Sequence, residues 1–576
     1  MQRRAFLRNA AGSLGAAALL PAARALALDS TSSPVRLNPV HLNQAGYSTG
    51  RAKYATVNAQ AAQFTIRPAA GGASAFQAAL SEARSDAASG DTIRIADFSG
   101  FSRAGLWRLA LDNGEVSPAF PIGPRPYHDA LRLTMRAYYG QRCGCNVNLG
   151  GGYHYPACHL RGAWHPSSGK SGAVTNHGGW HDAGDYGRYV VNSAITVGTL
   201  LWAWELYTPQ LRTLALGIPE SGGKTPDFLA EVRWNLNWML SMQDADGGVW
   251  HKQTSEQFCG FVMPQSDTST SYVIGTGSTP YKSTGATVGL AAAAAIAARC
   301  YGPYDAAFAQ RCLSAARKAW TWALSHPAVL FRNPPGVSTG GYEQNDVTDD
   351  TLWAAAELYR TTGESQYEQA FGAVVSTRLG NLALTPPGWG NVFSMACWAY
   401  AYSGHNADSQ LTDAIVKATV ETADALVRTA QGNGYGQTLA AAAYNWGSNG
   451  EAANQSLLLL VAYQLASNPA YKAAALANLD YLLGRNCFGV SWVTQLGSNP
   501  FQHPHHRPSA ADGLPAPWPG LLSGGPNAHP ADPAANALGQ RPPMRMWIDD
   551  QGAYSVNEVA INWNAPLVFL LAAVQS

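Results

Sequence analysis

The sequence predicts a mainly α-helical protein in which an (α/α)6 toroid, with six inner and six outer helices, follows a small β-sandwich. Three observations predict this fold class. Short alternating segments fill residues 35–122, a proline-rich junction follows them, and about twelve apolar-periodic or alanine-rich segments fill residues 127–576. A chain of 576 residues is too long for one ordinary hydrophobic core, so two or more domains are expected.

Residues 1–27 have the pattern of an export signal. Arg3 and Arg4 form a twin-arginine pair, an apolar run of alanine, glycine and leucine follows them, and Ala25-Leu26-Ala27 has the small residues of a cleavage site. We therefore expect export by the twin-arginine route and a periplasmic or extracellular mature chain. That route carries folded proteins, which suits a protein that binds metal before export.

Residues 35–122 have the sequence pattern of a β-sandwich. Its short β-branched or alternating runs are separated by Gly, Ser, Asp and Asn, and they read VRLNPVHLNQAGY, KYATVNA, QFTIRPA, TIRIADFSG and GLWRLALD. Such runs predict a small antiparallel β-sandwich. Four prolines between 118 and 126 then mark a stiff junction.

The helical region is predicted from apolar periodicity. The segment PDFLAEVRWNLNWMLSMQ is an example of this periodicity. Pro226 opens its first turn, and Phe228, Val232, Leu236 and Leu240 share one face. NQSLLLLVAYQLASNP is apolar nearly all round, so it is expected to be buried on both sides. The predicted helices begin near Tyr127, Val190, Pro226, Thr284, Ala307, Thr348, Gln366, Asn391, Gln410, Asn454, Ala470 and Asn557. An even helix number also suits a solenoid, but the sequence shows no fixed-period repeat.

Composition excludes several classes of partner. The chain has 38 basic and 37 acidic residues, and only 13% of its residues are charged, so neither a nucleic-acid footprint nor a polybasic membrane patch is expected. No segment after the signal reaches ~20 uninterrupted apolar residues. The 18 tryptophans and 25 tyrosines are mostly core residues, but such a surplus also suits a groove that binds the apolar faces of sugars.

Two aspartates lie in the segment GGWHDAGDYGRYV, before the helix predicted near Val190. Asp182 and Asp185 are three residues apart, so both carboxylates can bind one water molecule and accept its proton. The alternatives are a helix cap or a calcium ligand. The small and aromatic neighbours favour the catalytic interpretation, because a cap does not need them.

A third acid, Glu558, lies in NEVAINWNAPLVF and falls on the predicted terminal helix. Apolar surroundings raise the pKa of a glutamate, which is the condition that a general acid needs near neutral pH. The alternative is a glutamate that favours a helix start. One acid that protonates a leaving oxygen and another that activates water together cleave a glycosidic bond.

Four further side chains could hold a metal. Cys143, Cys158, His159 and His181 offer two thiolates and two imidazoles, a set suited to tetrahedral zinc. Their spacing is not that of a zinc finger, so the residues alone favour buried free cysteines and surface histidines over a metal site. The other cysteines are scattered, and no disulfide framework is implied.

Several blocks, in order, resemble one family. They are HLNQAGY at 41–47, GGWHDAGDYGRYVVN at 178–192, WGSN at 446–449, YLLGRN at 481–486, NPFQHPHHRPS at 499–509, GLLSGGPN at 520–527 and NEVAINWNAPLVF at 557–569. From Val35 onward the chain resembles glycoside hydrolase family nine, the inverting cellulases, in the subgroup with an N-terminal immunoglobulin-like domain.

The resemblance implies roles residue by residue. Asp185 would be the general base, Asp182 would orient the water, and Glu558 would be the general acid. Inversion then requires carboxyl groups roughly 6.5–9.5 Å apart. Four further residues would bind or line the sugar site, namely His505, Arg507, Tyr554 and Trp446.

The resemblance also implies metals. Family members of this subgroup carry a structural zinc at RCG, CH and WHD motifs, which stand here at 142–144, 158–159 and 180–182. Cys145 and His177 remain competing ligands. Calcium is common in the family, and PESGGKTPD and DADGG are candidate sites for it. Ala230 and the run 287–289 stand where acids are expected, which argues against calcium.

The predicted activity is hydrolysis of β-1,4-glucan with inversion, as an endoglucanase, by a monomer. Two alternatives stay open. One is an exo-acting β-glucosidase or glucosaminidase on the same scaffold, with the insertion at 503–543 closing one end of the groove. The other is a non-catalytic carbohydrate-binding protein, against which the three intact acids argue.

Overall fold

A computed structural model describes residues 38–175 and 178–575. The export signal predicted in residues 1–27 and the competing metal ligand His177 lie outside the described residues. All eight cysteines are free thiols.

The N-terminal region is a β-sandwich, as predicted. A four-stranded sheet has the order β1-β3-β7-β6, and a five-stranded sheet has the order β2-β9-β8-β4-β5. Inward-facing side chains such as Val57, Phe64, Ile66 and Trp107 form the core between them. The strands are β1 Val40–His41, β2 Tyr47–Ser48, β3 Tyr54–Val57, β4 Gln63–Pro68, β5 Phe76–Ala79, β6 Arg84–Asp86, β7 Asp91–Asp97, β8 Gly105–Leu111 and β9 Phe120–Gly123.

The helical region forms two layers of six long helices. The inner helices α2, α4, α6, α8, α10 and α15 are buried nearly all round, and neighbours along this ring pack on each other or share α9. The long helices are α1 His128–Gly140, α2 Val190–Leu211, α3 Asp227–Ser241, α4 Thr284–Tyr301, α5 Ala306–Ser325, α6 Thr348–Thr362, α7 Ser365–Val375, α8 Phe393–Ala401, α9 Ser409–Gly432, α10 Ser448–Ala466, α11 Pro469–Leu482 and α15 Ile561–Ala573. Three short helices precede the last one, namely α12 Arg507–Ala511, α13 Pro533–Asn536 and α14 Tyr554–Asn557.

The predicted helix starts agree closely with these bounds. The face of α3 that carries Phe228, Val232, Leu236 and Leu240 is buried, and α10 is buried on both sides between Asn454 and Ala462. None of the described helices is both long and apolar enough to cross a bilayer.

Small sheets inside the helical region were not predicted. They consist of β10 Val147–Gly150, β11 Tyr153–Tyr155, β12 Gly162–Trp164, β13 Ala173–Val174, β14 Arg188–Tyr189, β15 Lys252–Thr254 and β16 Ser271–Ile274. The last five form one sheet in the order β13-β12-β16-β15-β14. This sheet matters because β14 follows the aspartate loop directly, so its pairing with β15 fixes where that loop lies.

The two regions are joined through a buried ion pair. Both guanidinium nitrogens of Arg51 donate to Asp480 on α11, at 2.9 and 2.5 Å, and the Asn43 amide donates to the same carboxylate at 2.8 Å. Gln44 adds hydrogen bonds to the backbone of Leu483 and Gly489. The HLNQAGY block therefore docks the sandwich on the helical region.

Candidate active site

The loop 181–187 carries both aspartates, and the main chain holds it on both sides. The His181 N–H donates to the Gln141 carbonyl at 2.7 Å, and the Asp182 N–H donates to the Gly187 carbonyl at 2.9 Å. Helix α2 begins only at Val190, with Tyr189 before it and no side-chain cap. Neither aspartate is therefore a helix cap, which was one of the alternatives.

Asp182 is buried and bonded through both carboxylate oxygens. The Asn192 amide donates to Oδ1 at 2.7 Å, and the Tyr342 hydroxyl donates to Oδ2 at 2.5 Å. Burial, followed by repulsion from Asp185, raises the pKa of Asp182 to about 8, although both hydrogen bonds oppose the shift. Asp182 is therefore held rigidly and keeps its proton near neutral pH.

Asp185 lies at the other end of the loop. Its Oδ2 accepts hydrogen bonds from the Gly187 N–H at 2.9 Å and from the Tyr189 hydroxyl at 3.2 Å. Its side chain is 7% exposed, against 2% for Asp182. Asp185 is thus the less enclosed of the two aspartates, as a base that meets solvent water needs to be.

Lys252 holds in place the segment that carries Tyr342, the partner of Asp182, and this role was not predicted. It pairs with Tyr189 across the β14–β15 ladder, and its buried ammonium donates to the carbonyls of Thr339 and Gly340 at 3.2 and 2.8 Å. Burial lowers the pKa of Lys252 to about 7, while Asp185 and Glu343 oppose the shift. The segment that it holds carries Tyr342, which adopts a positive φ of 46°.

Glu558 lies in an extended segment between α14 and α15, with φ −67° and ψ 160°. The prediction that it stands on the terminal helix is therefore wrong, because that helix begins at Ile561. The segment pairs with His505 in a β-bridge, and the Glu558 carbonyl accepts the Gly524 N–H at 2.7 Å. Glu558 itself is partly buried.

The two acidic segments meet through their backbones. The Ile561 N–H donates to the Asp182 carbonyl at 2.9 Å, and the Arg507 N–H donates to the Gly184 carbonyl at 3.1 Å. Gly184 is required here, because a Cβ at this position would lie 1.9 Å from the carbonyl oxygen of His505. Residues nearly four hundred positions apart are thus brought into one loop cluster. The carboxyl separation of roughly 6.5–9.5 Å stays a prediction.

The four predicted sugar-site residues lie around this cluster. His505 Nδ1 bonds the Gln551 carbonyl at 2.7 Å, which leaves Nε2 as the ring nitrogen for a ligand, and burial lowers the pKa of His505. The rings of His505 and Tyr554 are 5.8 Å apart, and those of Tyr554 and Trp446 are 5.6 Å apart. Arg507 is buried and donates to the Gly184 and Cys259 carbonyls, so it ties loops together. Their contacts with sugar stay predictions.

The predicted metal ligands come together beside the aspartate loop. The ligand atoms of Cys143, Cys158, His159 and His181 all lie within 4.8 Å of one another. Cys143 Sγ is 3.8 Å from His159 Nδ1, and Cys158 Sγ is 3.7 Å from His181 Nε2. A sulfur and a nitrogen in a tetrahedral zinc site are about 3.5 Å apart. The cluster therefore fits one tetrahedral ion.

One further contact supports the Cys/His cluster from outside. His159 Nε2 lies 3.2 Å from Asp267 Oδ2, so a carboxylate orients this ring from outside, as is usual for a metal-binding histidine. Cys145 does not belong to the cluster, so it is no longer a competing ligand. Because His181 precedes Asp182, an ion here would hold the loop that carries both aspartates.

The acidic loops considered for calcium do not fit that ion. Lys282 lies 2.7 Å from Asp244 and 3.0 Å from Asp246, and Lys170 lies 2.8 Å from Asp244. In the other stretch, Glu220 pairs with Arg142 at 2.9 Å. Cationic side chains therefore pair with three of the four carboxylates in these stretches, and the fourth, Asp227, accepts hydrogen bonds from the Leu216 N–H and the Ser221 hydroxyl.

Comparisons with known proteins agree with this architecture. Residues 127–571 match the family model described as glycosyl hydrolase family 9, and residues 36–116 match the one described as cellulase N-terminal ig-like domain. Endoglucanase D of Acetivibrio thermocellus is 36% identical over 543 residues, which cover 92% of this chain and 83% of that protein. The cellodextrinase of Butyrivibrio fibrisolvens is 33% identical, covering 93% of this chain and 100% of that protein.

One solved structure bears on the metal cluster. A Zn-binding triple mutant of the family 9 endoglucanase J30 has a TM-score of 0.86 and 34% identity, covering 91% of this chain and 99% of that one. The two family matches together span almost all of the described chain, in the order that the fold shows. This chain belongs to glycosyl hydrolase family 9 and carries a cellulase-type immunoglobulin-like domain ahead of its (α/α)6 toroid.

Proposed function

We propose that this chain is an inverting β-1,4-glucanase that acts as an endoglucanase. One observation carries the proposal. Main-chain hydrogen bonds join the aspartate loop to Ile561, just after Glu558, and to Arg507, in the segment that pairs with Glu558, in a family 9 domain. The endoglucanase and cellodextrinase relatives support a glucan substrate.

The reaction uses the acids as a base and an acid. Asp185 accepts a proton from water while the water oxygen bonds to the anomeric carbon from the face opposite the leaving group. The bond from that carbon to the glycosidic oxygen breaks, and Glu558 donates its proton to the departing oxygen. Asp182, fixed by Asn192 and Tyr342, orients the water. Solvent then reprotonates Glu558 and removes the proton from Asp185.

Zinc is the ion that best suits the Cys/His cluster of Cys143, Cys158, His159 and His181. Two thiolates and two imidazoles are a common structural zinc set, and four ligands leave no position for substrate. When bound, the ion cross-links the segments that carry Cys143, Cys158 and His181. We infer a structural role, in which the ion holds the aspartate loop in place.

We also propose that the protein acts outside the cytoplasm, after twin-arginine export. The support is the pattern of residues 1–27. Expression with Arg3 and Arg4 both changed to lysine tests it. The account predicts that the unprocessed protein then stays in the cytoplasm, and processing and export as in the unchanged protein would contradict it.

A second candidate function is action on short cellodextrins. The full-length match to a cellodextrinase favours it. Chromatography of products from carboxymethylcellulose, lichenan and cellopentaose separates the two. Endo action predicts a rapid fall in viscosity and a spread of oligosaccharides, whereas one small product with unchanged viscosity supports the second candidate. No cleavage of any of these glucans would contradict both.

A further inference from the structure

The loop 255–263, between β15 and Asp267, the hydrogen-bond partner of His159, carries an aromatic surface that the proposed mechanism does not use. Among the described residues only seven large hydrophobic side chains are exposed, and the two aromatic ones are Phe258 and Phe261. They are 47% and 38% exposed and lie three positions apart. Isolated exposed apolar residues are ordinary, but two rings on one loop beside a catalytic cluster form a candidate binding surface.

The loop is held in place by contacts to the active-site segments. Arg507 donates from Nε and Nη2 to the Cys259 carbonyl at 3.1 and 2.9 Å, and the Tyr186 hydroxyl donates to the Val262 carbonyl at 2.5 Å. The Arg507 guanidinium also lies 5.6 Å from the Phe258 ring and 5.5 Å from the Phe261 ring. The buried Arg507 guanidinium therefore lies next to both exposed rings.

The position of Phe261 connects this surface to the site. Its ring is 5.1 Å from the ring of His505, which in turn lies 5.8 Å from that of Tyr554. The His505 backbone pairs with Glu558. A row of partly exposed rings thus runs from the loop 255–263 to the segment that pairs with Glu558.

We propose that Phe258 and Phe261 form a sugar-binding platform, on which a glucosyl unit next to the cleaved bond stacks its apolar face. This inference rests on the proposed function. Pyranose rings present C–H faces to aromatic side chains, and both phenylalanine rings are exposed enough to make such a contact. The platform would favour a sugar over other leaving groups, because every oligosaccharide substrate places a glucosyl unit there and an aryl glycoside does not.

The test compares F261A and F258A with F261W and with the control L324A. Leu324 is 62% exposed on the outer helix α5, so its truncation removes an exposed apolar side chain far from the platform in the sequence. With cellohexaose, F261A should lower kcat/KM by about three- to tenfold, in line with the energy of one aromatic contact. An activated aryl β-cellobioside, which has no sugar on the leaving-group side, should be hydrolysed almost as before. F261W should restore the value for cellohexaose.

Binding gives a readout that does not depend on turnover. In an E558Q background, F261A should weaken the affinity for cellohexaose by a similar three- to tenfold, whereas L324A should leave it unchanged. Equal losses on both substrates together with a lower Tm would show a purely structural role and overturn the platform. Unchanged binding and kinetics in both alanine variants, with an active parent enzyme, would overturn it while leaving the proposed function intact. A parent enzyme that cleaves no β-glucan would overturn both.

Discussion

The two sides of the proposed cleavage site are held in different ways. The aspartate loop adjoins the Cys/His cluster, so a metal ion bound there would fix one of its ends. The Glu558 segment is held by the buried amide of Asn557, which donates to the His503 carbonyl and to Asp549 and accepts from Trp547. Because the anchors differ, the base side and the acid side of the proposed reaction can be disturbed separately.

The largest expected effects are those of D185N and E558Q. Each should reduce kcat on cellooligosaccharides by about 10²–10⁴-fold, the usual contribution of a general acid or base. A substrate with a good leaving group needs little protonation, so E558Q should keep much of its activity on an activated aryl cellobioside, whereas D185N should lose it. Steady-state rates on both substrates check this.

Equal losses for both variants on both substrates would contradict the assignment of separate roles. The Tm of each variant should be within a few degrees of that of the parent, which serves as the control for folding.

Metal removal should disturb the base side next. Chelation, or C158A, should lower the Tm by several degrees and reduce the rate on the activated substrate as well, since the aspartate loop loses its anchor. Metal content by mass spectrometry and thermal unfolding provide the measurements. C312A is the matched control, because Cys312 is a buried thiol in α5 that lies outside the cluster.

Two results would contradict the prediction of a structural metal site. An unchanged Tm in a strong chelator, with no zinc bound to the untreated protein, would show that the four side chains hold no structural ion. Zinc retained by C158A at one ion per chain would exclude that thiol as a ligand.

A smaller effect is expected on the acid side from N557A. The substitution leaves the buried indole N–H of Trp547 without its hydrogen-bond acceptor, so the free energy of unfolding should fall by about 1–3 kcal/mol. Activity on cellooligosaccharides should fall more than activity on the activated substrate, because the segment of Glu558 loosens. N445A is the control, since Asn445 is exposed and its amide donates to the nearby Ala442 carbonyl. Equal behaviour of the two variants would contradict the anchoring role.

The last prediction concerns Asp182 and is a change of stability with pH, not a loss of activity. Its pKa is raised to about 8 by burial and by Asp185, from an ordinary value of 3.8, so the folded state binds this proton more tightly than the unfolded chain does. Between these two pH values the free energy of unfolding therefore falls as pH rises. D182N lacks this titration, so its Tm relative to that of the parent should increase from pH 4 to pH 8. A constant or decreasing difference in thermal scans would contradict the raised pKa.

Much of the fold could be predicted from the sequence because long helices have strong periodicity. Ten of the twelve predicted helix starts lie within two residues of the structure; the exceptions are α15, which begins at Ile561 rather than near Asn557, and α10, which begins at Ser448 rather than near Asn454. Its first turn, SNGEAA, contains polar and small residues, so its apolar pattern begins late. The sheet β12–β16 was missed because its strands are two to four residues long and pair across distant segments.

The candidate site was predictable where residues form local motifs. Asp182, Asp185 and the Cys/His set stand in short recognisable blocks, and the structure brings each set together. The residues that position them carry no local signal. Tyr342 bonds Asp182 from 160 positions away, and Lys252 reaches the tyrosine's loop across some ninety. Such contacts depend on the tertiary fold.

One measurement tests the central claim most directly. Proton NMR of the first reducing sugar released from cellopentaose reports the configuration of its anomeric carbon before mutarotation. If Asp185 activates water on the face opposite the group that Glu558 protonates, the new end should appear first as the α-anomer. A β-anomer as the first product would contradict the account, because it requires a covalent intermediate that these roles do not include.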